Sequence, residues 1–504
     1  MAQDAPASLD PACLDDVYEA TIINQIFDGL LRFDAHLNVV PCIAESWEVS
    51  ADGRDYVIHL KSGVRFHDGS ELGVEDVIYS FTRVFDLPES ETGLAREYLG
   101  HIAGSRAYAE HKAKAIAGLQ ALGPHDLRIE LDQPFASFLA ALAADPARIV
   151  PRHYVERVGN DRFGHQPLGC GPFRFVEWAR DRIVLATYEG YHLGAAWLDS
   201  LVFELPGESA RDYAAAAFLD DKLSAAIVPH GRLEEFRARA GTRVIMRPEL
   251  SLTFIGLNEK RPPFDDTRVR QAFALAIDRK AILQRDEAAR IAPEGILPPG
   301  MPGYTPQSKL LEHDPVQARA LLAAAGYPEG RNLPRIVFTT TSQTEEARLL
   351  YEEIRAQVET VGFHLENESL GWLEFSRRLT SQELQCFTIT WVADIPDPDS
   401  FLYPLGHHDG SGNFTGYRSA ATDSLLELGR CARDALQRMA TYRDVERRIL
   451  MDAPIVPLFH PVRAIAVQEN VRGIHMTPMG IGYIAMEDIW LQTALLTQEP
   501  RQME

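Results

Sequence analysis

Hydrophobic and polar residues alternate along the chain in short blocks that predict strands and helices from one end to the other. In VEDVIYSFTRVF (Val74 to Phe85), apolar residues recur at helical spacing, which predicts an amphipathic helix with one buried face. YVIHLKSGVRF, just before it, predicts two short strands joined by a turn at Lys61, Ser62 and Gly63. GPFRFVEWARDRIVLATYEGY predicts a β-hairpin.

The pattern changes at Phe254, where a strand is followed by a turn and by a helix that begins at Asp266 or Thr267. A second helix is predicted between Asp314, a preferred N-cap residue, and Gly326, a preferred C-terminal residue. Farther on, PRIVFTTT, EEARLLYEEIRAQVETVGF and FHLENESL predict a strand, a long helix and a strand. Because a crossover helix joins parallel neighbours, this succession predicts a parallel sheet.

One segment, TWVADIPDPDSFLYPL (Thr390 to Leu405), combines an aromatic residue with a stiff acidic turn. The apolar run QCFTIT before it predicts a strand that ends near Trp391, because the two prolines that follow cannot continue it. Open α/β sheets bind ligands where strands end. The indole of Trp391 and the carboxylate of Asp394 together suit an ammonium group. The alternative is a surface turn whose acidic side chains are solvated.

Length, charge and cysteine content bound the classes of protein that the chain can represent. Its 504 residues predict two or three domains. With 50 Lys and Arg against 72 Asp and Glu, the formal net charge of −22 argues against a nucleic-acid partner. No apolar run is long enough for a membrane span, and MAQDAPASLDPA lacks the features of a signal peptide. The five cysteines predict mostly small buried thiols, with room for one bridge.

Catalytic and metal-binding motifs do not stand out. The chain has no GxSxG, HExxH, P-loop or GxGxxG pattern, so we expect a protein that is not an enzyme and needs no cofactor. His407, His408 and Asp409 are candidate metal ligands, but adjacent histidines usually point apart on extended backbone. We therefore expect no metal site from these residues, and a metal or nickel chelate remains an alternative ligand only through a resemblance to proteins that bind one.

Recognisable motifs follow one another in a fixed order along nearly the whole chain, among them NQIFDGLLRFD, PCIAESWEVSADGRDYVIHLKSGVRFHDGSELGVEDVIYSF, PLGCGPFRFVEW, FIGLNEKRPPFDDTRVRQAFALAIDRKAI, WVADIPDPDSFL and DAPIVPLF. In this order they closely resemble the family-5 extracellular solute-binding proteins of peptide and nickel ABC transporters. The resemblance implies an α/β, two-lobed periplasmic-binding-protein fold (type II, large cluster C form) with a hinge between the lobes. It implies a discontinuous lobe I (1–31, 165–253 and 478–504), an inserted subdomain (32–164) and a lobe II (254–477).

The resemblance also implies binding roles for particular residues. Asp394 matches the aspartate that pairs with the ligand's α-ammonium in peptide-binding members, and Trp391 matches the adjacent aromatic; Thr390 precedes them. Phe27 either lines the cleft or packs in the core. The remaining expected contacts are Trp372, for which packing is the favoured alternative, and Cys170, which stands where the family usually has threonine.

Two threonines mark a departure from the family pattern. Thr341 and Thr388 stand where some peptide binders have arginines for the ligand's carboxylate. This substitution puts dipeptide and tripeptide specificity in doubt, and it favours a longer peptide or an aminated ligand without a terminal carboxylate.

The resemblance implies a high-affinity solute-binding protein of the periplasm or cell surface. It would capture a peptide or an amine-bearing small solute and deliver it to ABC transporter permease subunits, acting as a monomer. The abrupt start, with only MAQDAPA before SLDPA, suggests that an export signal and part of a first strand are missing. A ligand-binding sensor domain of a larger receptor is therefore an alternative function.

Overall fold

The structure is a computed structural model that describes residues 5–492, except 15–16, 208–209, 230, 285–287, 307–309 and 342–344. The chain divides into two compact units. Unit 1 comprises Met1–Arg247 and Arg463–Glu504, and unit 2 comprises Pro248–Val462. Within the described ranges, every helix is either too short or too polar to cross a bilayer.

Unit 1 combines short helices with small antiparallel sheets. Its helices are α1 (Val17–Ile26), α2 (Val74–Arg83), α3 (Glu89–Leu99), α4 (Ser105–Ala109), α5 (Phe138–Ala143), α6 (Arg152–Val158), α7 (Asn160–His165), α8 (Ala210–Leu219) and α9 (Leu233–Ala238). Its first strands are β1 (Leu31–Phe33), β2 (Val39–Pro41), β3 (Ala44–Val49), β4 (Asp55–Leu60), β5 (Leu119–Ala121), β6 (Asp126–Glu130), β7 (Phe173–Trp178), β8 (Arg182–Thr187), β9 (Ser200–Glu204), β10 (Ala225–Ile227) and β11 (Thr242–Pro248).

Unit 2 contains the longer helices and a mixed sheet. Its helices are α10 (Thr267–Ala276), α11 (Arg279–Gln284), α12 (Pro315–Ala324), α13 (Glu345–Glu359), α14 (Trp372–Thr380), α15 (Asp399–Gly406), α16 (Ala420–Cys431) and α17 (Ala435–Asp452). The remaining strands are β12 (Ser251–Leu257), β13 (Arg290–Ile291), β14 (Ile336–Thr340), β15 (Leu365–Ser369), β16 (Cys386–Val392), β17 (Ile455–Gln468), β18 (Val471–Arg472) and β19 (Trp490–Leu491). Strands β18 and β19, and the last residues of β17, belong to unit 1.

In unit 1, two antiparallel sheets have the strand orders β3-β4-β6-β5 and β7-β8-β9. The buried face of α1 packs in one core with residues from β7, β8 and β9; its members include Ile23, Phe27, Phe173, Leu185 and Phe203. Burial of these side chains is the main favourable contribution to the stability of the unit.

In unit 2, the sheet order is β17-β12-β16-β14-β15. Strand β12 pairs antiparallel with β16 and β17, whereas β14 pairs parallel with both β15 and β16. Every residue of β12 is buried, as expected of a central strand. The carboxyl end of β16 carries the Thr390–Trp391 pair to the start of the acidic turn.

Several predicted elements are confirmed. Helix α10 begins at Thr267, with the Asp266 carboxylate accepting a hydrogen bond from the Arg268 amide. Helix α12 begins at Pro315, where Asp314 is the N-cap. The strand–helix–strand succession β14–α13–β15 forms a parallel pair, as the sequence predicts.

One predicted strand is wrong. After β4 ends at Leu60, the segment makes a turn with Gly63 at φ +76°, and Arg65 forms only an isolated bridge to Glu71. A second turn follows at once, with Gly69 at φ +86°, so the segment is too short to extend a ladder. The one bridge that the sequence left room for does not form, because all five cysteines are free.

The predicted lobe bounds differ from the bounds of the compact units. The units divide at 247/248 and 462/463, whereas the resemblance places the lobe bounds at 253/254 and 477/478. The inserted subdomain at 32–164 lies within unit 1 and stays a prediction. Residues 493–504, the end of the predicted lobe I, lie outside the described residues.

Candidate functional site

The acidic turn after β16, residues 394–399, is held by the side chain and the carbonyl of one serine. Ser400, in the first turn of α15, accepts a hydrogen bond on its Oγ from the Asp394 amide at 2.9 Å. Its carbonyl oxygen accepts from the Trp391 indole Nε1 at 2.7 Å. Trp391 and Asp394, both half-buried, are therefore tied to the same helix start.

Two carboxylates of the turn are paired with arginines. Asp397 accepts from the Nη1 and Nη2 atoms of Arg438 at 2.8 and 2.7 Å. Asp399 accepts from Nε and Nη2 of Arg430 at 3.0 and 2.9 Å, and from the Tyr442 hydroxyl at 2.8 Å. The alternative of a turn whose acidic side chains are all solvated is therefore wrong for Asp397 and Asp399, both of which are largely buried.

The electrostatics of these pairs keep Arg438 charged and Tyr442 protonated. Burial alone would lower the pKa of Arg438, but the hydrogen bonds and the charge of Asp397 raise it above its ordinary value. Burial, and then the charge of Asp399, raises the pKa of Tyr442 well above its ordinary value, so its hydroxyl stays a donor. Bidentate guanidinium–carboxylate pairs have a fixed geometry, which makes the turn rigid.

The other predicted residues of unit 2 lie at or near the sheet. Thr390 is exposed, and its Oγ1 lies 2.8 Å from Oγ1 of Thr253 on the neighbouring strand β12. Thr388, one of the two threonines at expected arginine positions, donates its hydroxyl to the Phe254 carbonyl at 3.2 Å.

Trp372 lies on the surface of unit 2 rather than in its core. It is the first residue of α14, 59% exposed, and its ring stacks on Phe375 with centroids 6.1 Å apart. The favoured packing alternative is therefore wrong for most of the Trp372 surface, and a ligand contact by this ring stays a prediction.

The two predicted residues of unit 1 are fully buried. Phe27 lies in the core, its ring 5.9 Å from that of Phe163, which matches the core-packing alternative. Cys170 lies between two glycines that approach the end of α1: the Gly171 amide donates to the Ile26 carbonyl at 2.8 Å. Burial raises the pKa of the Cys170 thiol. Ligand contacts by Phe27 and Cys170 stay predictions.

The expectation that His407 and His408 point apart is wrong. Their ring centroids lie 4.5 Å apart, and candidate ligand atoms of both rings and of Asp409 lie within 4.8 Å of one another. Helix α15 ends at Gly406, and the two rings meet although His407 itself has extended backbone, with φ −82° and ψ 145°. In addition, His407 stacks on Tyr403, with centroids 4.4 Å apart.

The sequence analysis missed the partners of the acidic turn. Arg430 and Arg438 lie 31 and 41 residues from their aspartates, on α16 and at the start of α17. No local spacing joins them. The only available clue is that each is a charged residue at a position where its helix otherwise presents apolar residues.

Comparison with known proteins identifies the class of this fold and turn. The family model of bacterial extracellular solute-binding proteins, family 5 Middle, matches residues 38–413. The chain belongs to this family. Family 5 members that resemble it include the "Probable di/tripeptide-binding protein 5" of Pseudomonas aeruginosa, which is 30% identical over 90% of this chain and 88% of the relative.

Relatives of similar identity carry names for different ligands. "Heme-binding protein A" of Haemophilus influenzae is 27% identical over 94% of this chain and 89% of that protein. Among solved family structures, the periplasmic binding protein DppA of Helicobacter pylori, in complex with the peptide STSA, is 26% identical. It superimposes with a TM-score of 0.85 over 98% of this chain and 97% of that one. The α/β periplasmic-binding-protein fold is thus confirmed, whereas overall identity does not distinguish one ligand from another.

Proposed function

We propose that this family 5 protein binds a peptide through its α-ammonium group and delivers it to ABC transporter permease subunits. The acidic turn after β16 is the observation that carries the proposal. Asp394 lies two residues beyond the end of a central strand and shares Ser400 as a hydrogen-bond partner with Trp391, on a segment that two arginine–aspartate pairs hold in place. A carboxylate held in this way loses little conformational entropy when it binds a cation.

Within the turn, we assign binding to Asp394 and structural roles to the other two aspartates. Asp397 and Asp399 are matched by guanidinium groups, and their charges serve the fold. Asp394 is half-buried, and the indole of Trp391, three residues before it in the chain, offers a π face. Primary amines satisfy both groups at once, which supports an ammonium ligand over an anionic one.

The ligand is further limited by Thr341 and Thr388. A hydroxyl cannot form the bidentate charged pair that an arginine offers to a carboxylate. Thr388 already donates to the Phe254 carbonyl. We therefore propose a peptide longer than a tripeptide, or an amine without a nearby carboxylate, bound largely through backbone hydrogen bonds.

Hinge closure is a further part of the proposal. The chain passes between its two compact units twice, at 247/248 and 462/463, so two connections would carry the motion. Small-angle scattering should show a smaller radius of gyration with a bound ligand than without one. An unchanged radius with several tight ligands would contradict closure.

Native mass spectrometry of the purified protein, followed by titration calorimetry with di-, tri-, tetra- and pentapeptide pools and with heme, identifies the ligand class. Binding of tetra- or pentapeptides in preference to dipeptides supports the proposal. Binding of heme, or of a nickel chelate, in preference to every peptide pool contradicts it. A full-length gene that continues into a membrane span and a kinase or cyclase would favour the sensor alternative.

Asp394→Asn tests the amine contact directly. The variant should bind the cognate peptide at least tenfold more weakly, a loss of about 1.4 kcal/mol or more. Acetylating the peptide's amine should weaken binding to the wild type to a similar degree, and it should cost little further in the variant.

Asp444→Asn is the matched control, because it makes the same change of charge in unit 2 at a side chain that is more than half exposed. It should leave affinity unchanged. Equal affinity of wild type and Asp394→Asn for the free amine would exclude the proposed role of Asp394.

A further inference from the structure

A second cluster of polar side chains lies inside unit 1, away from the acidic turn. Asp28 lies between α1 and β1, Cys42 directly follows β2, and His192 lies in the segment after β8. Candidate ligand atoms of the three side chains all lie within 4.8 Å of one another. We call this set the Asp28–Cys42–His192 cluster.

All three side chains are at least nine-tenths buried. Cys42 has no exposed surface, and the His192 and Asp28 side chains are 7% and 10% exposed. His192 Nε2 lies 2.8 Å from Asp28 Oδ2. The other ring nitrogen, Nδ1, is buried and has no hydrogen-bond partner among the described residues. Because Nδ1 accepts no hydrogen bond, the imidazole can move its proton there and leave the lone pair of Nε2, which lies against Asp28, for an ion.

The charges around the cluster leave room for a cation. Arg32 and Arg148 are the nearby positive charges, and each has its own acidic partner: Glu487 at 3.5 Å from Arg32, and Asp145 at 3.2 Å from Arg148. The Asp28 carboxylate and a Cys42 thiolate would therefore balance one divalent cation.

The donor set also selects the ion. Thiolate, imidazole and carboxylate are ligands of Zn²⁺, with ligand distances of about 2.0–2.3 Å. Ligands of a tetrahedral ion lie roughly 3.3–3.8 Å apart, so small side-chain rotations from the present arrangement would suffice. From this geometry, we propose that Asp28, Cys42 and His192 form a binding site for Zn²⁺ inside unit 1.

Binding would require one proton to leave the Cys42 sulfur, because the thiolate is the ligand. A water molecule would complete four-coordination. The ion would join three segments that are distant in sequence, and it would stabilise unit 1 independently of the peptide ligand.

The surface set His407, His408 and Asp409 is the competing candidate. There, the Nδ1 atom of His407 accepts a hydrogen bond from the Asp409 amide at 3.1 Å. Its proton is therefore on Nε2, 3.4 Å from Glu427 Oε1, and neither nitrogen offers a lone pair to a metal. In the Asp28–Cys42–His192 cluster, Nε2 of His192 also carries a proton toward Asp28, but Nδ1 accepts no hydrogen bond among the described residues, so the proton can move to Nδ1.

The test is a Zn²⁺ titration of the full chain, stripped with a chelator, against a chromophoric competitor. We expect one tight equivalent, weakened at least tenfold by Cys42→Ser and by His192→Ala. Cys386→Ser is the matched control, since Cys386 is a buried thiol of unit 2 whose pKa is raised by burial alone. His408→Ala removes the competing surface set. Both controls should bind like the wild type.

Co²⁺ supplies a direct readout of sulfur ligation. The Co²⁺ form should show a thiolate-to-metal charge-transfer band that Cys42→Ser abolishes and Cys386→Ser retains. Circular dichroism without metal shows whether each variant is folded, and His192→Ala replaces Cys42→Ser if the latter is not. The proposal is overturned if no equivalent of Zn²⁺ binds, if neither cluster variant weakens binding, or if His408→Ala removes it.

Discussion

Two buried histidines, one in each unit, each have one ring nitrogen bonded and the other unpaired among the described residues. His192 in unit 1 lies 2.8 Å from the Asp28 carboxylate and close to the Cys42 thiol. His460 in unit 2 donates Nδ1–H to the Ser251 carbonyl at 2.8 Å, and its Nε2 has no partner. The same local defect therefore occurs in two different chemical settings.

The difference lies in what surrounds the unpaired nitrogen. Unlike His192, His460 has no acid in hydrogen-bond contact, and burial lowers its pKa to about 4. It is a neutral histidine of the core. His192 has the Asp28 carboxylate at Nε2 and the Cys42 thiol close by. An unpaired buried ring nitrogen points to a ligand site only when such donors lie near the same imidazole.

The acidic turn of unit 2 is the third case, in which each buried charge meets an opposite one. Asp399 is almost fully buried and accepts from Arg430 and Tyr442. Pairs of this kind need not add stability compared with apolar residues, but they are strongly destabilising when one partner is removed.

The largest effect on stability should come from removing one arginine partner of the acidic turn. Arg430→Met keeps most of the side-chain volume and leaves the Asp399 carboxylate buried without its guanidinium. The free energy of unfolding should fall by about 3–5 kcal/mol, measured by urea unfolding. Arg447→Met is the control, because Arg447 and Asp444 form a surface pair 3.0 Å apart, and it should cost less than about 1 kcal/mol. Equal losses of unfolding free energy in the two variants would show that the buried pair of the turn contributes no more than a surface pair.

Low pH should destabilise the fold through His460. Its pKa is about 4 in the folded chain and about 6.5 in an unfolded one, so its neutral form stabilises the fold above pH 6.5. That contribution is lost as the pH falls from about 6.5 to 4, by roughly 3 kcal/mol. His460→Asn should flatten the acid side of the stability profile by this amount. An unchanged slope would mean that another group takes up the proton.

Zinc should have a slightly smaller effect, and it should act on the other histidine. Zn²⁺ at a hundredfold excess over its Kd should stabilise the folded chain by about 2.7 kcal/mol. The gain should disappear in His192→Ala and remain in His460→Asn, as measured by thermal unfolding with and without metal. A loss of the gain in both variants, or in neither, would remove the distinction between the two histidines.

Local features of this fold could be predicted from the sequence because their causes are local. Asp314 and Pro315 start α12 through a cap and a fixed φ, and the prolines after Trp391 end β16. The position of Asp394 at a strand end follows from the same pattern. Family resemblance then supplied the fold, which the comparisons confirm.

The remaining features depend on tertiary packing. Asp28 and His192 are 164 residues apart, and no spacing rule brings them together. The arginine partners of the turn are equally remote. The contact between the His407 and His408 rings could not be predicted from an extended backbone. Burial decides the rest, since Phe27 is as suitable for a core as for a pocket until its neighbours are known.

The smallest effect on stability should come from Asp394. Asp394→Asn keeps the amide hydrogen bond to Ser400 Oγ and the shape of the side chain, and neither Arg430 nor Arg438 loses its acid. The free energy of unfolding should change by less than about 1 kcal/mol, within the range of ordinary half-buried substitutions.

Asp399→Asn makes the same chemical change five residues later and should cost several times more, because it leaves the Arg430 guanidinium unmatched. Urea unfolding of the two variants side by side measures the contrast. Its meaning for function is specific: if Asp394 contributes little to the fold while Asp399 contributes much, the Asp394 carboxylate serves binding rather than stability. If Asp394→Asn proves as destabilising as Asp399→Asn, Asp394 is a third structural acid, and the ammonium site must lie elsewhere.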